Sequence, residues 1–232
     1  MTSRDPETLN AALHSTIIRF ILDHGYAPGA GELGRLLGLP EAAAVAALER
    51  LADGHGVVLH PHRPEIWAIH PFSLAPTSFW VRSGERAWWG NCGWCSLGIA
   101  ALVDGDVTIS TSFGGEGRPV DLHIRSGRMV EGQYLIHFPI PMRQCWDNVI
   151  YSCSNMLVFE NEAEIDAWCL RHRMPKGDTQ PLARFWDFAR DWYGKHLDPD
   201  WKKWTSAEAQ ALFQRHGLGG DTWAIPASRD RF

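Results

Sequence analysis

Residues 91–102 read NCGWCSLGIAAL, and this stretch combines a structural signal with a chemical one. Two cysteines, Cys92 and Cys95, stand three positions apart, next to an apolar run that predicts a short helix beginning at them. At a helix N-terminus, unpaired backbone N–H groups stabilise a thiolate and so lower the pKa of a thiol. The stretch therefore predicts a helix whose first turn carries reactive cysteines.

The composition around this stretch is that of an ordinary globular protein. The chain has 232 residues, 45% of them hydrophobic and 21% charged, which fits one large domain or a core with a smaller appendage. Twelve tryptophans are unusual. Because tryptophan is costly to leave exposed, they predict a substantial aromatic core or an apolar pocket.

Charge and hydropathy exclude several classes of partner. The net charge of −5 argues against general attraction to nucleic acid or to an anionic membrane. No apolar run approaches the ~20 residues that span a bilayer, and the acidic N-terminus does not resemble an export signal. We therefore expect a cytoplasmic protein with neither nucleic-acid nor membrane partners. Clustered cysteines in that reducing compartment indicate metal binding or catalysis.

Upstream of the cysteines, helical periodicity covers residues 9–25, 31–39 and 40–54, and residues 56–69 read as two strands. Three helices and a hairpin form a winged-helix pattern. Residues 1–75 carry five arginines, no lysine and eight acidic residues, so few cationic side chains are available to bind DNA phosphates. This head is expected to serve packing, with its apolar third helix against the core. A thiol- or metal-responsive transcription factor is the least favoured alternative.

Downstream, a proline-containing segment at residues 70–81 leads into a second domain. Alternating patterns at residues 106–113, 119–127 and 132–140 predict strands, with GGEG as a turn. Residues 148–159, NVIYSCSNMLVF, are a further predicted strand with Cys153 in its middle, and three aromatic helices follow. The predicted fold class is α+β: a winged-helix-like domain (residues 1–75), then a mixed sheet core covered by helices (residues 76–232).

The remaining candidate ligands favour structural interpretations. Cys145 and Cys169 have apolar neighbours and are expected in the core. A structural zinc site needs two more ligands beside Cys92 and Cys95, and the chain has no second Cys-x-x-Cys. A thioredoxin-like pair would follow the first strand of a βαβ unit, which this element order does not supply. The histidines in the predicted hairpin region are interpreted as structural: His60, His62 and His70.

Three segments together resemble the organomercurial (alkylmercury) lyase family. GWCSLGIAAL, after the winged-helix-like head, is similar to the family's Trp-Cys-x-Leu-Asp stretch. GRPVDLHI follows a glycine-rich turn, and YSCSNMLVF followed by EIDAW looks like the family's second-cysteine segment. The resemblance covers most of residues 8–170.

The resemblance implies a mechanism in which Cys95 and Cys153 correspond to the family's two cysteines. Two sulfur atoms converge on R–Hg, and a neighbouring acid protonates the departing carbon to give R–H and protein-bound Hg(II). Thiolates are soft ligands that prefer soft metals, so Hg(II) or another soft metal would be a ligand derived from the substrate. No organic cofactor is implied. The implied partners are a small organometallic or other organic substrate and cellular thiols.

The sequence departs from the family at the acid. The family has Asp three residues after its first cysteine, whereas this chain has Gly98. Cys92 as a third thiol, or a carboxylate such as Asp147, are alternative sources of the proton. If Cys92 replaces the missing acid, Cys92→Ser is expected to abolish turnover and Gly98→Asp to raise protonolysis. The competing hypotheses are a non-catalytic protein that binds Hg or Cu, and a relative that acts on another organic substrate.

Overall fold

The computed structural model describes residues 5–226. The helices of this part of the chain are α1 (Pro6–His24), α2 (Ala30–Leu37), α3 (Glu41–Asp53), α4 (Gly93–Leu102), α5 (Val149–Ser154), α6 (Glu162–His172), α7 (Leu182–Tyr193) and α8 (Ser206–Arg215). The strands are β1 (Val58–His60), β2 (Arg63–Ile69), β3 (Phe72–Ser73), β4 (Trp80–Ser83), β5 (Arg86–Gly90), β6 (Val107–Ser112), β7 (Pro119–Arg125), β8 (Arg128–Met129), β9 (Leu135–Phe138), β10 (Val158–Phe159) and β11 (Asp178–Pro181). In the described residues, no helix combines the length and apolarity needed to cross a membrane.

The strands form two antiparallel sheets. The larger has eight strands in the order β1-β2-β3-β5-β4-β6-β7-β8, and the smaller has the order β10-β9-β11. Every strand pair in the described residues is antiparallel, so the expectation of a mixed sheet was wrong. The reason is local: consecutive strands such as β4–β5 and β7–β8 are joined by two-residue turns rather than by helical crossovers. The predicted α+β class is confirmed.

The head begins with a well-delimited helix. The Asp5 side chain accepts a hydrogen bond from the backbone N–H of Thr8, and Pro6 occupies the first helical turn of α1. The helix ends at Gly25, whose φ of 78° is the left-handed conformation that glycine adopts without a Cβ penalty. The α1, α2, α3 and β1–β2 elements follow the predicted order, and the winged-helix interpretation stays a prediction.

The head and the core share one sheet. Strand β3 pairs with β2 on one side and with β5 on the other, so the hairpin continues into the core sheet. The domain boundary near residue 75 stays a prediction, and this pairing crosses it. The larger contacts of α3 are with α1, α2, β1 and β2, whereas α1 reaches β5. The Trp88 indole donates to the Ile21 carbonyl over 2.9 Å, so α1 supplies the contact expected of α3.

The segment around Cys153 corrects a prediction. Residues 148–159 do not form one strand, because α5 carries Cys153 and only Val158–Phe159 are extended. Asn148 caps α5: its side-chain oxygen accepts from the backbone N–H of Tyr151 over 3.0 Å. Periodicity alone cannot tell whether a short apolar run with β-branched residues forms a strand or a helix. Here the Asn148 cap favours the helix.

Helix α4 lies in the interior, between the large sheet and α7. It contacts β3, β4 and β5 on one side and α7 on another. Its ten residues are buried, except for partly exposed Ala101. Trp94 packs in an aromatic cluster with Phe188, Trp192 and Trp223, as the tryptophan count predicts. The cysteines at the start of α4 are therefore held by a rigid, close-packed core.

A candidate thiol site

Cys92 and Cys95 occupy the N-terminus of α4, as the sequence predicts. Cys92 is the N-cap residue, and its sulfur accepts a hydrogen bond from the backbone N–H of Cys95 over 3.3 Å. Each cysteine is only 1% exposed. A cysteine sulfur thus takes the capping role that Ser, Thr or Asp usually fills, which holds the two sulfur atoms on the same end of the helix.

Cys153 approaches the same place from α5. Its sulfur lies 3.6 Å from Nε2 of His70. The ligand atoms of His70, Cys95 and Cys153 all lie within 4.8 Å of one another. Two sulfur atoms at that separation are within reach of one soft ion, since each metal–sulfur bond spans about 2.3 Å. The structure therefore brings together the cysteines that the sequence singled out, and it adds His70.

The three thiols differ in protonation. Burial by itself raises the pKa of Cys95, but hydrogen bonds from Cys153, Cys92 and the Tyr193 hydroxyl outweigh it and hold that pKa well below its usual range. Burial raises the pKa of Cys92 well above its usual range. Hydrogen bonds to Cys92 and Cys95 raise the pKa of Cys153 well above its usual range. Cys95 is therefore the thiol of this cluster that loses its proton most readily, and Cys92 and Cys153 retain theirs more strongly.

Tyr193, at the end of α7, contacts these thiols. Its hydroxyl lies 3.5 Å from the Cys95 sulfur. Burial raises the pKa of Tyr193 well above its usual range, and the neighbouring Cys95 raises it further. The raised pKa favours the protonated phenol, which can donate a hydrogen bond to the Cys95 sulfur. No sequence motif marks this tyrosine, and sequence reasoning missed it.

Gly98 lies directly beneath the Tyr193 ring. A Cβ atom at position 98 would stand 2.5 Å from Cε2 and 2.9 Å from Cγ of Tyr193, far inside normal packing distance. The expectation that Gly98→Asp raises protonolysis stays a prediction, and this packing argues against it because the new side chain has no room beside Tyr193 as it stands. Glycine at position 98 is what this packing requires.

His70 was interpreted as structural, but the structure places it at the site. Burial lowers the pKa of its imidazole to about 4, so the ring is neutral at pH 7. Its Nε2 lies 2.9 Å from Nδ2 of Asn91, the residue before Cys92. His60 lies elsewhere, stacked on Trp67. Spacing along the hairpin could not separate these histidines, because only the tertiary fold turns His70 toward Cys153.

The thiols line a cavity of about 70 Å³. Four further rings line the same cavity and are here called the histidine–tryptophan wall: His14, His196, Trp201 and Trp204. His14 stacks on Trp201 with ring centroids 4.0 Å apart, and His196 lies 4.3 Å from the same ring. Burial lowers the pKa of His14 to about 3 and that of His196 well below its usual range. The wall is therefore uncharged at neutral pH.

The other candidate residues lie in different settings. Asp147 is exposed and does not line the cavity, so it is not positioned as the missing acid. No carboxylate appears among the described residues that line the cavity. Cys145 is buried and does line it, whereas Cys169 lies apart, 3.7 Å from His137. All five cysteines are within the described residues, and none forms a disulfide.

Comparison with known proteins agrees with this geometry. The sequence model of the MerB alkylmercury lyase family matches residues 72–194, more than half of the chain. The chain belongs to the alkylmercury lyase family. The matched segment contains Cys92, Cys95, Cys153 and Tyr193, whereas His70 lies just before it and the histidine–tryptophan wall lies outside it.

A solved structure supports the fold assignment. The chain is similar to the crystal structure of the mercury-bound form of MerB2, with a TM-score of 0.63 and 17% sequence identity. The match covers 84% of this chain and 100% of that chain. No curated protein matches the sequence. At this identity the likeness establishes the fold alone, and the chemistry of this chain has to be argued from its own residues.

Proposed function

We propose that the protein cleaves the carbon–mercury bond of organomercurials by protonolysis, with Cys95 as the attacking thiolate and Cys153 as the second sulfur ligand. The observation that carries the proposal is the approach of these two sulfur atoms, within 4.8 Å, in a buried cavity of an alkylmercury lyase family member. Mercury is the substrate's metal. A thiolate is the ligand that it prefers over oxygen or nitrogen.

The protonation pattern suits this reaction. A low pKa at Cys95 supplies a thiolate at neutral pH, and a thiolate is the nucleophilic form of cysteine. The raised pKa of Cys153 keeps a proton available until that sulfur binds mercury. Cellular thiols are the proposed acceptors of the Hg(II) product. The proposed location is the reducing cytoplasm, because Cys95 must remain reduced.

A second candidate function is retention of a soft metal without turnover. One observation favours it: His70 adds a nitrogen donor to the two sulfur atoms, and no carboxylate among the described residues lines the cavity to deliver a proton. Three protein ligands without an acid describe a binding site for Hg(II) or Cu(I) better than a reaction centre. A different organic substrate is a third candidate, and the family membership favours it less.

One experiment separates these functions. The reduced protein is incubated with methylmercury and excess small thiol, and methane in the headspace is measured by gas chromatography. Catalytic release of methane supports the lyase. Stoichiometric mercury on the protein without methane supports the binding protein. Cys169→Ala is the matched control, because Cys169 is buried but lies outside the cavity, and it is expected to release methane like the unmodified protein.

A further inference from the structure

We infer that Tyr193 is the catalytic proton donor of this protein, delivering its hydroxyl proton to the carbon that leaves mercury. The inference rests on the proposed function and identifies the acid that the lyase reaction requires. Three features carry it: the contact of the hydroxyl with the Cys95 sulfur, the fit between Gly98 and the Tyr193 ring, and the groups around the cavity.

The first feature is the position of the hydroxyl. Tyr193 is 3% exposed, lines the cavity and places its oxygen 3.5 Å from the Cys95 sulfur. A mercury ion bound to that sulfur would stand beside the phenol. A general acid has to lie within hydrogen-bond reach of the group that it protonates, and this hydroxyl already touches the atom that would bind the substrate.

The second feature is steric. The ring of Tyr193 occupies the space that a side chain at position 98 would need, because a Cβ there would lie 2.5 Å from Cε2. Position 98 is one helical turn after Cys95 on α4, so any side chain there points toward the same sulfur. The tyrosine reaches this place from α7. The absence of a side chain at Gly98 therefore leaves the space that the Tyr193 ring occupies.

The third feature is the set of competing donors. Nε2 of His70 lies 2.9 Å from Nδ2 of Asn91 and 3.6 Å from the Cys153 sulfur, and the His14 ring stacks on Trp201. The Lys203 ammonium donates to the His55 carbonyl over 2.8 Å and lies 3.8 Å from the centre of the Trp146 ring. The protons of Cys92 and Cys153 are on sulfur atoms that are themselves mercury ligands or helix caps. Among the described residues that line the cavity, Tyr193 supplies the oxygen acid that touches Cys95.

The proton and electron balance closes with the groups present. Cys95 thiolate first forms a sulfur–mercury bond with R–Hg⁺. The carbon–mercury bond then breaks with its electron pair on carbon, and carbon takes the Tyr193 hydroxyl proton to become R–H. Cys153 sulfur forms the second bond to mercury, and its thiol proton passes to the tyrosinate. Mercury remains Hg(II) throughout, so no oxidant or reductant takes part.

The test uses Tyr193→Phe, which keeps the ring against Gly98 and removes only the hydroxyl. We expect single-turnover methane release from methylmercury to fall by about 10²–10⁴-fold, the usual range for losing a general acid. Methylmercury should remain bound stoichiometrically, because Cys95 and Cys153 are intact, and metal analysis after gel filtration measures it. Tyr134→Phe is the control: its ring packs on Phe113, outside the cavity, and its methane release should be unchanged.

The outcomes are distinct. No methane from the unmodified protein removes the proposed function itself. Methane from the unmodified protein and from Tyr193→Phe at equal rates overturns the assignment of Tyr193 alone. A fluorinated tyrosine at position 193 covers the case in which Tyr193→Phe does not fold: a more acidic phenol should speed methane release, and an unchanged rate also overturns the assignment.

A complementary pair of variants tests the fit. Gly98→Asp alone should lose methane release, because the carboxylate displaces the Tyr193 ring. Gly98→Asp combined with Tyr193→Ala gives the new acid the vacated space, and methane release should recover relative to Tyr193→Ala alone. Equal rates in Tyr193→Ala and in the double variant would contradict the shared position.

Discussion

The thiol cluster (Cys92, Cys95 and Cys153) and the histidine–tryptophan wall line one cavity, and they differ in their hydrogen bonding. The sulfur atoms are hydrogen-bonded to one another and to Tyr193. Four ring nitrogens of the wall have no hydrogen-bond partner among the residues that the structure describes: His14 Nδ1, His196 Nδ1, Trp201 Nε1 and Trp204 Nε1. The cluster lies inside the family-matched segment and the wall outside it.

This contrast separates two tasks. Bond making and bond breaking need preorganised, charge-matched atoms, and the thiol cluster has them. Under the proposed function, the organic group would need shape and apolar surface, and the wall offers both from α1 and from the segment after α7. The predicted head, expected to serve packing only, contributes His14 of α1 to the lining of the cavity. Changes to the cluster should abolish chemistry, and changes to the wall should alter selectivity and stability.

The largest expected effect belongs to the cluster. Cys95→Ser removes the thiolate, and an alcohol at that position is neither ionised at neutral pH nor a soft ligand. Methane release should fall by at least about 10³-fold, as for removal of other catalytic nucleophiles. His14→Phe, which keeps a ring on Trp201, should change the rate by less than about tenfold. Comparable losses of methane release in both variants would contradict the assignment of bond cleavage to the thiol cluster and of selectivity to the wall.

The next effect concerns the wall and stability against pH. Burial lowers the pKa of His14 from 6.5 to about 3. Between these pH values His14 is therefore protonated in the unfolded chain but neutral in the folded chain. The free energy of unfolding should therefore decrease as pH falls from 6.5 toward 3, by roughly 2 kcal/mol at pH 5 from this residue. His14→Phe should lose less stability between pH 7 and pH 5. Urea denaturation of both proteins at both pH values measures the difference.

The sequence predicted the cluster better than the wall, for a physical reason. Helix periodicity and the apolar run identify α4, and the family resemblance adds Cys95, Cys153 and Gly98. The wall is assembled from residues about 180 positions apart, and nothing in local spacing links His14 to His196. The same holds for Tyr193, whose role depends on the packing of α7 against α4. The α5 helix was missed because its cap, Asn148, outweighs β-branched neighbours.

A smaller effect is expected on substrate size. The cavity of about 70 Å³ is under half of the ~150 Å³ that holds benzene in an engineered protein core, so it fits a methyl group better than a phenyl ring. Trp201→Ala should enlarge it. We expect the ratio of kcat/KM for phenylmercury to that for methylmercury to rise about tenfold, within the range for a change in pocket size. An unchanged ratio would show that the organic group does not contact the wall.

The smallest expected effect is that of Cys92→Ser. This variant distinguishes the two candidate proton sources, the Cys92 thiol and the Tyr193 phenol. Cys92 caps α4 through its sulfur, and serine is a better N-cap than cysteine, so the helix should keep its stability. A serine hydroxyl can also donate to the Cys95 thiolate, as Cys92 does. Methane release should therefore fall by only a few-fold while Tyr193 is intact. If Cys92 were the proton source instead, Cys92→Ser would abolish methane release and Tyr193→Phe would not. Measuring both variants in the same single-turnover assay decides between the thiol and the phenol.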